Sequence, residues 1–113
     1  MKICIKYNNK ILSENIALAD DLPSRLLGLM FKRSPNGDGL LLDPCNSIHT
    51  FFMRYPLDVA FISSDNKVVK VIRNLMPWKM TWIYFKASKV LELPAGKMPQ
   101  DLKEGDLFEV IRV

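Results

Sequence analysis

The side chains able to do chemistry cluster around one central block. His49 is the single histidine, and imidazole exchanges a proton near neutral pH, so it is the candidate general acid or base. Asp58 interrupts the apolar run Leu57 to Ser63, and by the two-residue period of a strand it lies on the face of Ala60 and Ile62. A carboxylate there needs donors or a cation, because burying it unpaired is costly. Arg25, Arg54 and His49 are the groups on offer. Either Asp58 is structural, capping loop amides or holding Arg25, or it joins His49 in binding or acid–base work. His49 likewise reads as a loop histidine bonded to the backbone or as a ligand contact.

Other constellations are thinner. A Ser47, His49, Asp58 relay can be written down, but a triad is defined by geometry, and residues two apart in a loop need not meet. Cys45 stands four residues before His49, so an imidazole-assisted thiolate is conceivable; the ordinary reading is a buried cysteine. One histidine and two distant cysteines fall short of a structural zinc site, so no metal is expected. No glycine loop of the phosphate-cradling kind occurs, and no cofactor is expected. Glu92, between Leu91 and Leu93, faces alongside Val90. It is ordinary on an exposed sheet face, whereas beside Asp58 it would form a carboxylate pair with one raised pKa.

Met76 to Lys86 carries Trp78, Trp82, Tyr84 and Phe85 among Lys79 and Lys86. Such a mixture can stack bases, settle at a membrane interface or meet a protein. The plainer expectation is a strand or loop covering the core. Exposed rings forming one apolar patch would mark the Trp78 to Phe85 surface as an interaction module; buried rings would dismiss it. Sixteen Lys and Arg against twelve Asp and Glu leave +4. Without a basic cluster this is a poor footprint for nucleic acid, which is not an expected partner.

The elements that position these residues begin with a hairpin. Ile3, Ile5 and Tyr7 alternate with Lys2, Cys4 and Lys6, Asn8-Asn9 supplies the turn, and Ile11 and Leu12 resume the apolar pattern. Asp20, Asp21 and Pro23 offer a cap and first turn for a short helix over 22–31, with Gly28 inside it suggesting close backbone packing. Ser34 to Gly39 is a loop by composition, and an apolar segment begins at Gly39. Leu57 to Ser63 is apolar on both faces and reads as a central strand, and Lys67 to Arg73 pairs back across the Ser63 to Asn66 turn. Val90 to Leu93 and Leu107 to Val113 are two more strands. Seven or so strands and one helix predict an α+β, mostly β domain: a small curled antiparallel sheet or partly closed barrel with one short helix.

A chain of 113 residues, 49% apolar and 25% charged, fits one ordinary globular domain spanning 1–113. The longest apolar runs fall far short of the roughly 20 residues that cross a bilayer as a helix, so no membrane span is expected. Polar residues interrupt the first ten positions against a secretory signal. Two cysteines in a domain with a full core more often stay reduced, so a cytoplasmic protein without a disulfide is expected.

Three ordered stretches carry a resemblance: SRLLGLMF at Ser24 to Phe31, CNSIHTFFMRYPLDVAFIS at Cys45 to Ser63, and VLELPAG at Val90 to Gly96, with Gly105-Asp106 beyond. Arg25, Gly28, Leu29 and Met30, then His49, Phe52, Met53, Leu57, Asp58 and Phe61, match the motifs of the family called domain of unknown function 192. The resemblance covers nearly the whole chain and implies a compact β-rich fold with a short helix, without a settled activity. Many members resemble exported or membrane-anchored proteins with a hydrophobic leader, from which this chain departs. Arg54 and Tyr55 stand where many relatives read Lys-Asn-Thr, so no role of that Asn or Thr carries over.

Together these features predict a small binding or accessory domain in which Arg25, His49, Arg54 and Asp58 line a polar site for a small molecule or protein. A hydrolase or transferase using His49 and Asp58, and an interaction module using Trp78 to Phe85, are the alternatives. Oligomeric state is not encoded in these patterns.

Overall fold

The computed structural model describes residues 2–19, 38–51 and 53–112. They form one seven-stranded sheet: β1 (Lys2–Tyr7), β2 (Lys10–Ala19), β3 (Gly39–Leu42), β4 (Leu57–Ser63), β5 (Val68–Leu75), β6 (Ala87–Pro94) and β7 (Phe108–Arg112), in the order β5-β4-β6-β3-β2-β1-β7. The first hairpin turns through Asn8 and Asn9, both in the left-handed region (φ 48° and 65°). That is the two-residue turn whose twist matches paired strands, and Asn tolerates the backbone it needs.

Alternation along the strands divides the core between the two faces of the sheet. Ala60 and Ile62 of β4 join Leu91 and Leu93 of β6, Ile3, Ile5 and Phe108 in one cluster. Leu57, Val59 and Phe61 join Val90, Leu40, Leu42, Cys45 and Met53 in the other. Strand β4 lies between β5 and β6, and its first six residues are all buried, as an interior strand apolar on both faces must be. At Gly39 a Cβ would collide with the Leu93 side chain and the Glu92 carbonyl, so glycine lets β3 approach β6.

The sequence-based fold class needs correction. No helix occurs among the described residues, and the helix expected over 22–31 lies outside them. The sheet is mixed, because β2 and β3 run parallel, Ile16 to Ala19 against Gly39 to Leu42. It is also open: edge strands β5 and β7 are not paired as neighbours in the sheet order, and where they begin they are joined by the Lys67–Leu107 bridge and three hydrogen bonds beside it, from the Phe108 N–H to the Asn66 carbonyl at 2.7 Å, from the Val68 N–H to the Asp106 carbonyl at 2.9 Å and from the Gly105 N–H to the Val68 carbonyl at 2.8 Å. Apolar periodicity reports which face a residue occupies and says nothing of strand direction or of whether two edges meet. A four-residue run buried throughout, such as β3, carries even less directional information.

Candidate functional site

The polar residues singled out from the sequence do not assemble into one pocket. Asp58 is 2% exposed, and on β4 it occupies the Ala60 face. Its Oδ1 accepts the Asn74 N–H at 2.9 Å, and its Oδ2 accepts the N–H groups of Gly96 at 2.9 Å and Met98 at 3.1 Å. Asn74 lies in the irregular part of β5, where the β4 register jumps between Leu57 and Val59, with a left-handed backbone of φ 57°. A bulge leaves backbone groups unpaired, and the carboxylate satisfies one of them. Arg73 completes the join, its guanidinium donating to the carbonyls of Met98 at 3.1 Å and Pro99 at 2.8 Å. Among the described residues the donors to Asp58 are thus backbone amides rather than Arg54 or His49, and Arg25 lies outside the described residues. Asp58 and Arg73 tie the turn after β6 to the β5 bulge.

Glu92 sits on the other face of the sheet. Its cross-strand partners are Val59 and Leu40, both in the second cluster, while Asp58 stands opposite Leu93. The two carboxylates therefore point away from each other, and the carboxylate pair is not formed. Nor is Glu92 on an exposed face: it is 7% exposed, and burial pushes its pKa up to about 7. The half-buried Tyr55 belongs to the same cluster. Its hydroxyl is buried without a hydrogen-bond partner among the described residues, and burial, with the Glu92 charge second, raises its pKa.

His49 also belongs to this second face, but at its outer surface. The loop 43–56 buries Cys45 and Met53 in the cluster and packs Ile48 against it. His49 itself is exposed, accepts the Phe51 N–H at Nδ1 (3.3 Å) and stacks on the Phe51 ring at 4.7 Å between centroids. Phe51 in turn stacks on Trp78 at 6.0 Å. With Asp58 across the sheet and both its oxygens occupied, neither a His49–Asp58 pair nor a relay through Ser47 is assembled. The Cys45 Sγ donates to the Ser47 carbonyl at 3.0 Å, and no disulfide joins it to Cys4. Arg54 is exposed. No group of three His, Cys, Asp or Glu side chains gathers as metal ligands among the described residues.

The segment 76–86 is the larger surprise. Instead of covering the core, Trp78 is 60% exposed, Met80 70%, Trp82 84% and Phe85 86%, with Met76 and Ile83 also exposed. Tyr84 alone among the rings turns in, against Phe61 at 4.4 Å. The backbone is held firmly all the same. Thr50, fully buried, donates its hydroxyl to the Met76 carbonyl at 2.6 Å and accepts the Lys79 N–H at 2.9 Å. Thr81 N–H and Tyr84 N–H donate to the carbonyls of Ile48 and Asn46, each at 2.9 Å. Trp78 adopts φ 66°, a backbone that bulky residues seldom take. The pins Thr50 and Thr81 escaped the sequence reading. A threonine between His49 and Phe51 looks like loop filler until its partner segment, more than twenty residues downstream, is known.

This defines a class: an all-β domain, among the described residues, carrying a rigid apolar strap outside the sheet. A family model, DUF192, described as "Uncharacterized ACR", matches residues 3–110, and the chain belongs to that family. It is 36% identical over 86 residues to UPF0127 protein PH1112 of Pyrococcus horikoshii, spanning 72% of this chain and 73% of that protein. Its fold is similar to a crystal structure of a protein of unknown function from Novosphingobium aromaticivorans, at TM-score 0.78 and 23% identity over 96% of this chain and 84% of that one. It is also similar to a Sinorhizobium meliloti protein provisionally designated a transcription regulator, at TM-score 0.76 and 25% identity over 96% of this chain and 92% of that one. No helix among the described residues is long and apolar enough to cross a membrane.

Proposed function

We propose that the protein is a small binding module whose contact surface is the strap 76–86, with Phe51 and His49 at its rim. The observation that supports this is the combination of rings exposed at Trp82 (84%) and Phe85 (86%) with a backbone pinned through Thr50 and Thr81. Large apolar side chains left outside cost solvation free energy, and several of them presented on one hydrogen-bonded segment are characteristic of a docking surface. Holding the rings in place beforehand reduces the ordering cost of binding. The cytoplasm as compartment belongs to the same proposal and fits a chain whose two cysteines are not joined. His49 enters as a rim contact, while Asp58 supports the fold behind it.

A photo-crosslinking benzoylphenylalanine placed at Phe85, and separately at the exposed Ile11 of β2, tests this in cells that make the protein. Adducts of any molecular class formed from position 85 and not from position 11 support the reading. Equal or absent capture from the two positions overturns it.

A further inference from the structure

Resting on that reading, we infer that the occupant of the strap is the surface of an anionic lipid bilayer. Charge makes the first argument. The strap 76–86 carries Lys79 and Lys86 and no Asp or Glu, while the flanking cations Arg73 and Lys89 are turned to backbone carbonyls of Met98, Pro99 and Ser63. Lys79 and Lys86 are exposed beside the rings, and no ion pair among the described residues neutralises either, the pairs found there being Lys10–Asp101 and Lys103–Asp106. A protein partner rich in acidic groups would answer the lysines but not the rings, and an apolar one the reverse. A bilayer with anionic headgroups answers both, with rings at the acyl boundary and ammonium groups among phosphates.

Shape makes the second argument. Side chains as exposed as Trp82, Phe85 and Met80 project from the protein with little beside them. A rigid partner would need a matching socket for each ring, whereas a fluid interface closes around whatever projects. Trp is moreover the side chain most at home at headgroup level, apolar in body with one N–H for the wet side. Nucleic acid, the other polyanion, is disfavoured because the cations at the strap are dispersed among Met, Ile and Phe side chains instead of forming a basic stripe.

The two tryptophans of the chain, Trp78 and Trp82, both lie in the strap, so their fluorescence reports on it directly. The full chain is titrated with phosphatidylcholine vesicles, with and without phosphatidylglycerol, and with a DNA duplex. Expected are a blue shift of emission and co-sedimentation with the anionic vesicles, weakened by salt, and no comparable binding to neutral vesicles or DNA. Trp82→Ala with Phe85→Ala lowers partitioning by about tenfold or more, since each ring buries substantial apolar area. Lys79→Glu with Lys86→Glu lowers it by at least about fivefold per site, with thermal unfolding of both variants unchanged. Absent vesicle binding, or binding that the ring variant leaves intact, overturns the lipid assignment. If position 85 nevertheless crosslinks to a protein or nucleic acid, the docking reading survives it; if it captures nothing above position 11, both fall.

Discussion

The two faces of the sheet treat buried polar groups in opposite ways. On the face of Ala60 and Ile62, the Asp58 carboxylate meets three backbone amides, and the guanidinium of Arg73 satisfies the carbonyls next to them. On the face of Val59 and Phe61, Glu92 is buried with its pKa raised to about 7, the Tyr55 hydroxyl has no partner among the described residues, and the segment beyond carries its rings in solvent. A satisfied buried network fixes structure, while a face with a desolvated acid, one unanswered hydroxyl and exposed apolar rings retains free energy that a ligand or partner can release. Asp58 and Glu92 look alike in the sequence, each an acid in an apolar strand. They differ in what the distant chain brings to them.

The sharpest way to break the comparison is at Asp58. Asp58→Ala leaves the N–H groups of Asn74, Gly96 and Met98 without their acceptor, and hydrogen bonds to a charged group are worth about 1.5–3 kcal/mol each, not fully additive. A loss of about 3–4 kcal/mol is expected, read as a fall in thermal midpoint on the order of 15 °C. Asp58→Asn, which keeps an acceptor for one side only, falls between. A variant that unfolds like the parent would show that the turn after β6 stands without its carboxylate, and the two faces would no longer differ in kind.

Glu92 tests the other face through pH. Its folded pKa, raised to about 7, exceeds the ordinary unfolded value, so the folded state holds the proton more tightly. Below the unfolded pKa, near 4.3, both states are protonated and burial of the neutral acid carries no charge penalty. As pH rises from there to about 7 the folded protein loses stability relative to the unfolded chain, and above that the penalty is constant. At about 1.4 kcal/mol per pH unit the total is on the order of 3–4 kcal/mol. Glu92→Gln, permanently neutral, removes that slope: denaturant unfolding at pH 5 and pH 8 should show the variant gaining on the parent by about 2–3 kcal/mol at the higher pH. The carboxyls of Asp65, Asp101 and Asp106 are lowered, by hydrogen bonds to Ser63, Lys10 and the Lys103 amide respectively. They act in the opposite sense at lower pH, and they cancel in the difference between variant and parent. Parallel pH profiles would mean that Glu92 is ionised and accommodated, and the contrast with Asp58 would vanish.

How much of this was legible follows from the range of each signal. The alternation of β4 was readable because it is local, and it placed Leu57, Val59 and Phe61 on one face and Ala60 and Ile62 on the other, as the two clusters have it. The same alternation set Glu92 beside Val90. What answered each acid was not readable. The amides of Asp58 come from 16, 38 and 40 residues away and belong to the backbone, which has no sequence signature. Trp78 to Phe85 alternated like a strand, and the expectation of core cover failed because periodicity cannot tell a face packed on the sheet from one turned outward.

Thr50 joins the two halves of the comparison, being a buried and satisfied polar group whose work is to hold the exposed strap. Thr50→Val keeps the shape and removes the side-chain hydrogen bonds, to the Met76 and Lys79 carbonyls and from the Lys79 N–H. Because Lys79 and Met76 are themselves exposed, water can replace part of what is lost, and a cost of about 1–2 kcal/mol is expected, the smallest of the three. The local effect should exceed the global one. Amide hydrogen exchange within 76–81 should quicken by more than the fall in global stability allows, while the amides of β4 and β6 follow global unfolding. Emission from Trp78 and Trp82 should lose anisotropy at the same time. If exchange in the strap and in the central strands rises in step, the strap is no separate unit, and its rings are carried by the sheet as a whole instead of being presented by Thr50.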